Sequence, residues 1–217
     1  MKRLGPAFLM LAVLVGRSEA QDTRLARLDS KVQARVGALL DSARTLGIPT
    51  EPVVDKALEG AAKRAPNERI ITVVRSRFNE LVAARAALGG GAMDPEIIAA
   101  ADALHAGASA QVITALRAQR PNVPLTIPLA VLADLIARGV PPDTASTAVL
   151  ALAKTPSTDA QFAALRDEVE RDIAKGVPPA IAPSARTRGL PPGARVPAAA
   201  TTAGPATGGL ESGPRKP

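Results

Sequence analysis

A short corner recurs along this chain, and no other feature limits its possible folds so strongly. Lys63-Arg64-Ala65-Pro66 resembles Arg138-Gly139-Val140-Pro141 and Lys175-Gly176-Val177-Pro178, with His105-Ala106-Gly107-Ala108-Ser109 as a degenerate copy. Each time an apolar-periodic segment ends in a cation or His, which complements the negative end of a helix. A Gly, or Arg64 in the first copy, follows where the chain must leave the helix through a left-handed conformation. A Pro or Ser then opens the next helix. Anchored on residues 64, 107, 139 and 176, the corners stand 43, 32 and 37 residues apart. That spacing suits helical hairpins stacked in an array.

The corners predict four pairs: 50–63 with 67–88, 94–106 with 109–119, 127–138 with 142–154, and 158–175 with 178–187. Ahead of them, Leu25, Leu28, Val32, Val36, Leu39, Ala43 and Leu46 recur at steps of three and four. They predict one long amphipathic helix over 21–46, capped by Gly47 and stopped by Pro49. Gly89-Gly90-Gly91 reads as a flexible joint, and Arg120-Pro121-Asn122-Val123-Pro124 as a stiffer one. The 127–154 pair is the most apolar and is expected at the centre of the core, with Asp134 and Arg138 paired across one turn. Composition agrees with helices. Aromatic residues make up 1% of the chain and Trp and Tyr are absent, whereas sheets favour aromatic and β-branched side chains. The expected fold is all-α: stacked helical hairpins, as an irregular α-solenoid or helix bundle of about nine short helices over 21–188. Residues 189–217 are rich in Pro, Gly, Ala and Thr without aliphatic period, and read as a disordered basic tail.

Residues 1–20 have the form of a signal peptide. Lys2 and Arg3 precede the apolar run Ala7–Val15, and Ser18-Glu19-Ala20 offers small residues for cleavage between Ala20 and Gln21. The run is shorter than a membrane span needs. The expected location is periplasmic or extracellular, and the chain is not expected to be an integral membrane protein. The formal net charge of +7 falls to +5 without this leader. From Ala182 onward the charge is +4, so residues 21–181 sit near +1. A nucleic-acid reader would carry its positive charge on the folded surface, and no nucleic-acid partner is expected.

Catalytic and metal chemistry is poorly provided for. Cys is absent, which excludes disulfides and thiolate sites, and the single His105 excludes any site needing two imidazoles. His105 and Ser109 are four apart, the spacing of a nucleophile pair, yet Gly107 breaks the helix between them and no orienting third group is evident. They read as a last-turn cation and a helix cap. Asp167, Glu168, Glu170 and Asp172 form the densest acidic cluster, but Arg166–Glu170 and Asp167–Arg171 at helical spacing describe a solvated, ion-paired face rather than a metal site. Gly89-Gly90-Gly91 lacks the Gly-Lys-Ser/Thr of a phosphate loop. Arg69, Arg75, Arg77 and Arg85 share one helix, but Glu68 and Glu80 interrupt them and neither Trp nor Tyr is present for base stacking. No catalytic, metal-binding or cofactor-binding residue follows from the sequence.

The leading expectation is therefore an exported, non-catalytic protein-interaction or scaffold module with a protein partner, binding in a groove between hairpins. The alternative is an envelope tether whose tail residues Arg186, Arg188, Arg195, Arg215 and Lys216 touch an anionic cell-wall or membrane surface; an inert tail stands beside it. A carboxylate-based hydrolase would need two acids facing one cleft at about 5–9.5 Å.

Overall fold

A computed structural model describes residues 23–183. The leader with its Ala20–Gln21 junction, Arg186, Arg188, Arg195, Arg215 and Lys216, and the tail from 189 lie outside the described residues. The fold is all-helical, as the corners require. After a helical turn at 23–25 come α1 (Ser30–Leu46), α2 (Glu51–Ala62), α3 (Asn67–Leu88), α4 (Asp94–Ala106), α5 (Ala110–Gln119), α6 (Thr126–Ala137), α7 (Pro142–Ala153) and α8 (Asp159–Ala174).

The corners are built alike. Arg64, Gly107, Gly139 and Gly176 all have positive φ, and Gly47 does the same at the end of α1. The residue after each donates its N–H five residues back: Ile48 to Ala43, Ala65 to Gly60, Ala108 to Ala103, Val140 to Leu135, Val177 to Asp172. This is the Schellman closure, which satisfies carbonyls that a helix end leaves open. Gly47-Ile48-Pro49 is thus a fifth copy of the corner. Successive corners stack: a Cβ on Gly107 would lie 3.5 Å from Pro142 Cγ, and one on Gly139 3.9 Å from Pro179 Cγ.

Two layers result. In one, α1 packs on α3, α3 on α5 and α5 on α7; in the other, α4 packs on α6 and α6 on α8. The layers join through α1–α2, α2–α3, α3–α4 and α6–α7. The expected long helix over 21–46 is corrected: it breaks at 26–29, where the Asp29 carboxylate accepts from Lys31 N and caps α1. The break also turns the stripe. Leu40 is buried where Leu39 was expected, and Leu46 is half-exposed.

The centre of the core is α6 with α4, rather than the expected α6–α7 pair. α4 buries Ala99, Ala100, Ala101 and Ala103, and α6 buries Leu129, Val131, Leu132 and Leu135. Small side chains on one helix let the axes approach, so an alanine helix mates with a leucine helix. Asp134 and Arg138 do not pair with each other. Both reach across to α8, Arg138 to Glu170 at 2.9 Å and Asp134 to Arg166 at 3.8 Å.

The joints are held by buried charge. Arg85 donates to the carbonyls of Gly89 and Ala92, so the triple glycine is stapled at both ends rather than left a free linker. Glu96, 3% exposed, accepts from Met93 N, from Leu125 N and from Arg117, whose guanidinium also donates to the carbonyls of Arg120, Pro121 and Val123. Burial pushes the Glu96 carboxyl up, but the Leu125 and Met93 amides and the Arg117 guanidinium outweigh it, and its pKa lies below the ordinary carboxylate value. Arg120 is buried, donates to Ser157 O at 2.7 Å and lies 5.0 Å from the centre of the Phe162 ring. One side chain thereby ties the end of α5 to the start of α8.

Candidate functional site

The second layer is incomplete. α2 and α4 both pack on α3, yet they do not pack on each other to any comparable extent. α3 has 22 residues against 12 and 13 for its two neighbours. At about 1.5 Å per residue it is roughly 33 Å long, and both neighbours rest on it without closing on each other. The gap is a groove of about 840 Å³, with α3 as its floor and α2 and α4 as its walls.

Residues of five kinds define its chemistry. Glu51, Asp55 and Glu59 stand at steps of four on α2 and put three carboxylates on one wall. Asp102 and His105 stand on the opposite wall, from the last turns of α4. Arg77 and Glu80 rise from the floor, and Pro52, Val73 and Ile98 are its apolar part. Lys56 completes the charge set. Five carboxylates thus face two permanent cations. Their exposure is unequal: Asp55 and Asp102 are 64% and 52% exposed, whereas Arg77 is 14% exposed. The groove shows carboxylate to solvent and keeps its arginine underneath.

The ion pairs run between elements. Arg77 holds Asp102 at 2.8 Å and Glu80 at 3.5 Å, and Glu80 Oε1 lies 3.0 Å from His105 Nδ1. Glu80 also accepts from Ser76 Oγ at 3.3 Å. At the rim, Arg24 from the helical turn at 23–25 bridges Glu51 at 2.8 Å and Asp55. Hydrogen bonds from Lys63 and Lys56 hold the Glu59 carboxyl down to about 2.

The residues singled out from the sequence are dispersed. Ser109 Oγ caps α5 by accepting from Val112 N, as expected of a cap. His105 sits in the last turn of α4, as expected, but it also reaches Glu80 on α3. The acidic cluster on α8 is not the uniform solvated face expected: Glu168 and Asp172 are buried, and Arg166 pairs with Asp167 and Asp134 while Glu170 takes Arg138. The arginine stripe on α3 is divided: Arg69 and Arg75 are exposed, Arg77 lies under the groove and Arg85 staples the loop after α3. The groove itself was missed. Its one legible sign was Glu51, Asp55 and Glu59 at helical spacing; the facing Asp102 and His105 are separated from them by the whole of α3.

Glu80 and Asp102 converge, but on Arg77, which stands between them. Hydrolysis by two carboxylates needs both to face a shared substrate, and here a cation occupies that place. Among the described residues no three His, Asp or Glu side chains are grouped so as to hold a metal ion, and no helix is long and apolar enough to cross a membrane.

Fold and site define a class: a two-layered array of helical hairpins with an acid-walled groove where one layer opens. No family model matches the chain, and neither a curated protein nor a solved structure does.

Proposed function

We propose that the chain is an exported, non-catalytic interaction module whose binding surface is the α2–α4 groove, taking an extended basic segment of a protein partner. One observation carries the reading: exposed carboxylates on facing walls flank the apolar side chains of Pro52, Val73 and Ile98, which no helix of the array covers. Val73, on that floor, is 38% exposed. An arginine-bearing strand laid in the groove would pair with Asp55, Glu59 and Asp102 while covering Val73 and Ile98. Arg24 already makes the same kind of contact, since its guanidinium reaches two wall carboxylates from another part of the chain.

The test is fluorescence anisotropy on the full-length chain with a short labelled peptide that alternates arginine with proline and valine. Saturable binding is expected at low salt, weakening at about 0.5 M salt as screening shortens the reach of exposed charges. The double substitution Asp55→Asn with Asp102→Asn should weaken it further. Absence of binding, or binding indifferent to those two substitutions, removes the reading.

The tether alternative is supported by the charge of +4 from Ala182 onward, including Arg186, Arg188, Arg195, Arg215 and Lys216. It expects the chain to sediment with envelope fractions and to stop doing so when residues 189–217 are deleted. Unchanged sedimentation would eliminate it.

A further inference from the structure

We infer that the groove is occupied in cis by the chain's own C-terminal segment, so that a partner must displace a built-in competitor. The inference rests on the groove being a binding site for basic segments. It adds what holds that site when no partner is present.

Charge and reach carry the argument. The described structure ends at Pro183, and the 34 residues beyond it carry Arg186, Arg188, Arg195, Arg215 and Lys216 against the single Glu211. The groove presents five carboxylates against Lys56 and Arg77, with Arg24 and Lys63 pairing at its rim. Those rim pairs are exposed, and exposed pairs are worth little individually and exchange readily. An arginine from elsewhere can therefore take a share of Asp55 or Glu59 at small cost.

The exit point is on the correct edge. The corner after α4 stacks on the corner after α6, through Gly107 and Pro142, and that one on the corner after α8, through Gly139 and Pro179. The C-terminal ends of α4, α6 and α8 therefore share one edge of the array, and the described residues end seven positions after Gly176 of the last corner. His105, at the end of α4, marks the mouth of the groove on the same edge. From α8 to α4 is two helix spacings and the groove is one more, so the path is roughly 30 Å at 8–10 Å per spacing. Extended at about 3.1 Å per residue, 34 residues reach roughly 105 Å. About ten residues cover the path, which leaves Arg195 and the Arg215-Lys216 tip available to the walls. A linker of this kind supplies an effective concentration near 1 mM, so even a contact with a dissociation constant of about 0.1 mM would be made most of the time.

The absence of Cys makes the test clean. Ser212→Cys in the full-length chain gives a single attachment point for a nitroxide, and its paramagnetic broadening is read on backbone amides. Broadening is expected on α2 and α4 residues that line the groove, lost at about 0.5 M salt. No broadening, or broadening spread evenly over the surface, overturns the inference. So does broadening seen only when labelled chains are mixed with isotopically enriched, unlabelled ones, which would make the contact intermolecular. Replacing the five basic residues beyond Pro183 by Gln should raise affinity for the arginine–proline–valine peptide about tenfold, the ratio of effective concentration to dissociation constant above. If the peptide binds the groove equally well with and without the basic residues, the module reading stands and the competitor does not. If the tail broadens groove amides and no peptide binds even after the five basic residues are replaced, the cis contact stands and the module reading does not.

Discussion

Arg64 has a φ of 53°, in the region that glycine takes at the equivalent place in the other corners. An L-residue there carries a penalty of about 1–2 kcal/mol, whereas glycine avoids it and loses about 0.5–1 kcal/mol to the freedom of the unfolded chain. The two substitutions that exchange these roles should differ in sign. Gly139→Ala, at a φ of 89°, is expected to lower stability by about 1–2 kcal/mol, while Arg64→Gly is expected to be neutral or slightly stabilising. Urea unfolding midpoints of the two variants decide it; a neutral Gly139→Ala would mean that the corners do not need their left-handed residue. Glu96 gives a second prediction at this scale. Its carboxyl lies below the ordinary 4.5 in the folded chain, so its stabilising effect is fully present above that value and is lost as pH falls through the lower folded value. The thermal midpoint should therefore decline on acidification below pH 4.5, and decline less steeply in Glu96→Gln. Glu96→Ala at neutral pH removes the carboxylate that Arg117, the Leu125 amide and the Met93 amide share, at a cost of about 3 kcal/mol. A parallel pH slope in the Gln variant would place the acid sensitivity elsewhere.

Between elements, Gly60 makes a distinct prediction. Glycine inside a helix ordinarily costs about 1 kcal/mol relative to alanine, so Gly60→Ala on α2 would be expected to stabilise. The packing reverses the sign. A Cβ at Gly60 would fall 2.9 Å from Cγ1 of Ile70, a buried residue of α3, and the Ile70 side chain or the helix carrying it would have to shift. Overpacking of this kind typically costs 1–3 kcal/mol, so Gly60→Ala should lower the unfolding free energy by about 1 kcal/mol net. A stabilised variant would show that α2 and α3 have room to yield. The groove depends on the same contact, because the position of α2 on α3 sets the distance between its walls. Gly60→Ala should accordingly change peptide binding in the anisotropy assay, even though residue 60 does not line the groove.

Over the whole molecule, each helix packs mainly on neighbours one or two places away in the chain, and α6 with α4 is the most extensive contact. Stability in such an array is approximately a sum of local terms, greatest where most interfaces meet. Hydrogen exchange should be slowest in α4 and α6 and faster in α1 and α2, which pack mainly on each other and on α3. Uniform protection across all eight helices would instead indicate a single cooperative block.

The corners at Arg64, Gly107, Gly139 and Gly176, and with them the spans of α2 to α8, were legible in the sequence. Each is decided within about five residues, by a left-handed backbone, a proline or serine start and a local hydrophobic period. The break at Asp29 escaped that reading because an apolar stripe continues through a capping residue without showing it. What only the tertiary structure decided is which faces meet. The pairing of α4 with α6, the passage of Arg138 to Glu170 and Arg77 to Asp102, and the gap between α2 and α4 join residues 20 or more apart. No local preference acts over that separation. The acid wall of Glu51, Asp55 and Glu59 was written in the sequence; that it faces Asp102 across an open groove follows from how both walls pack on α3 without packing closely on each other.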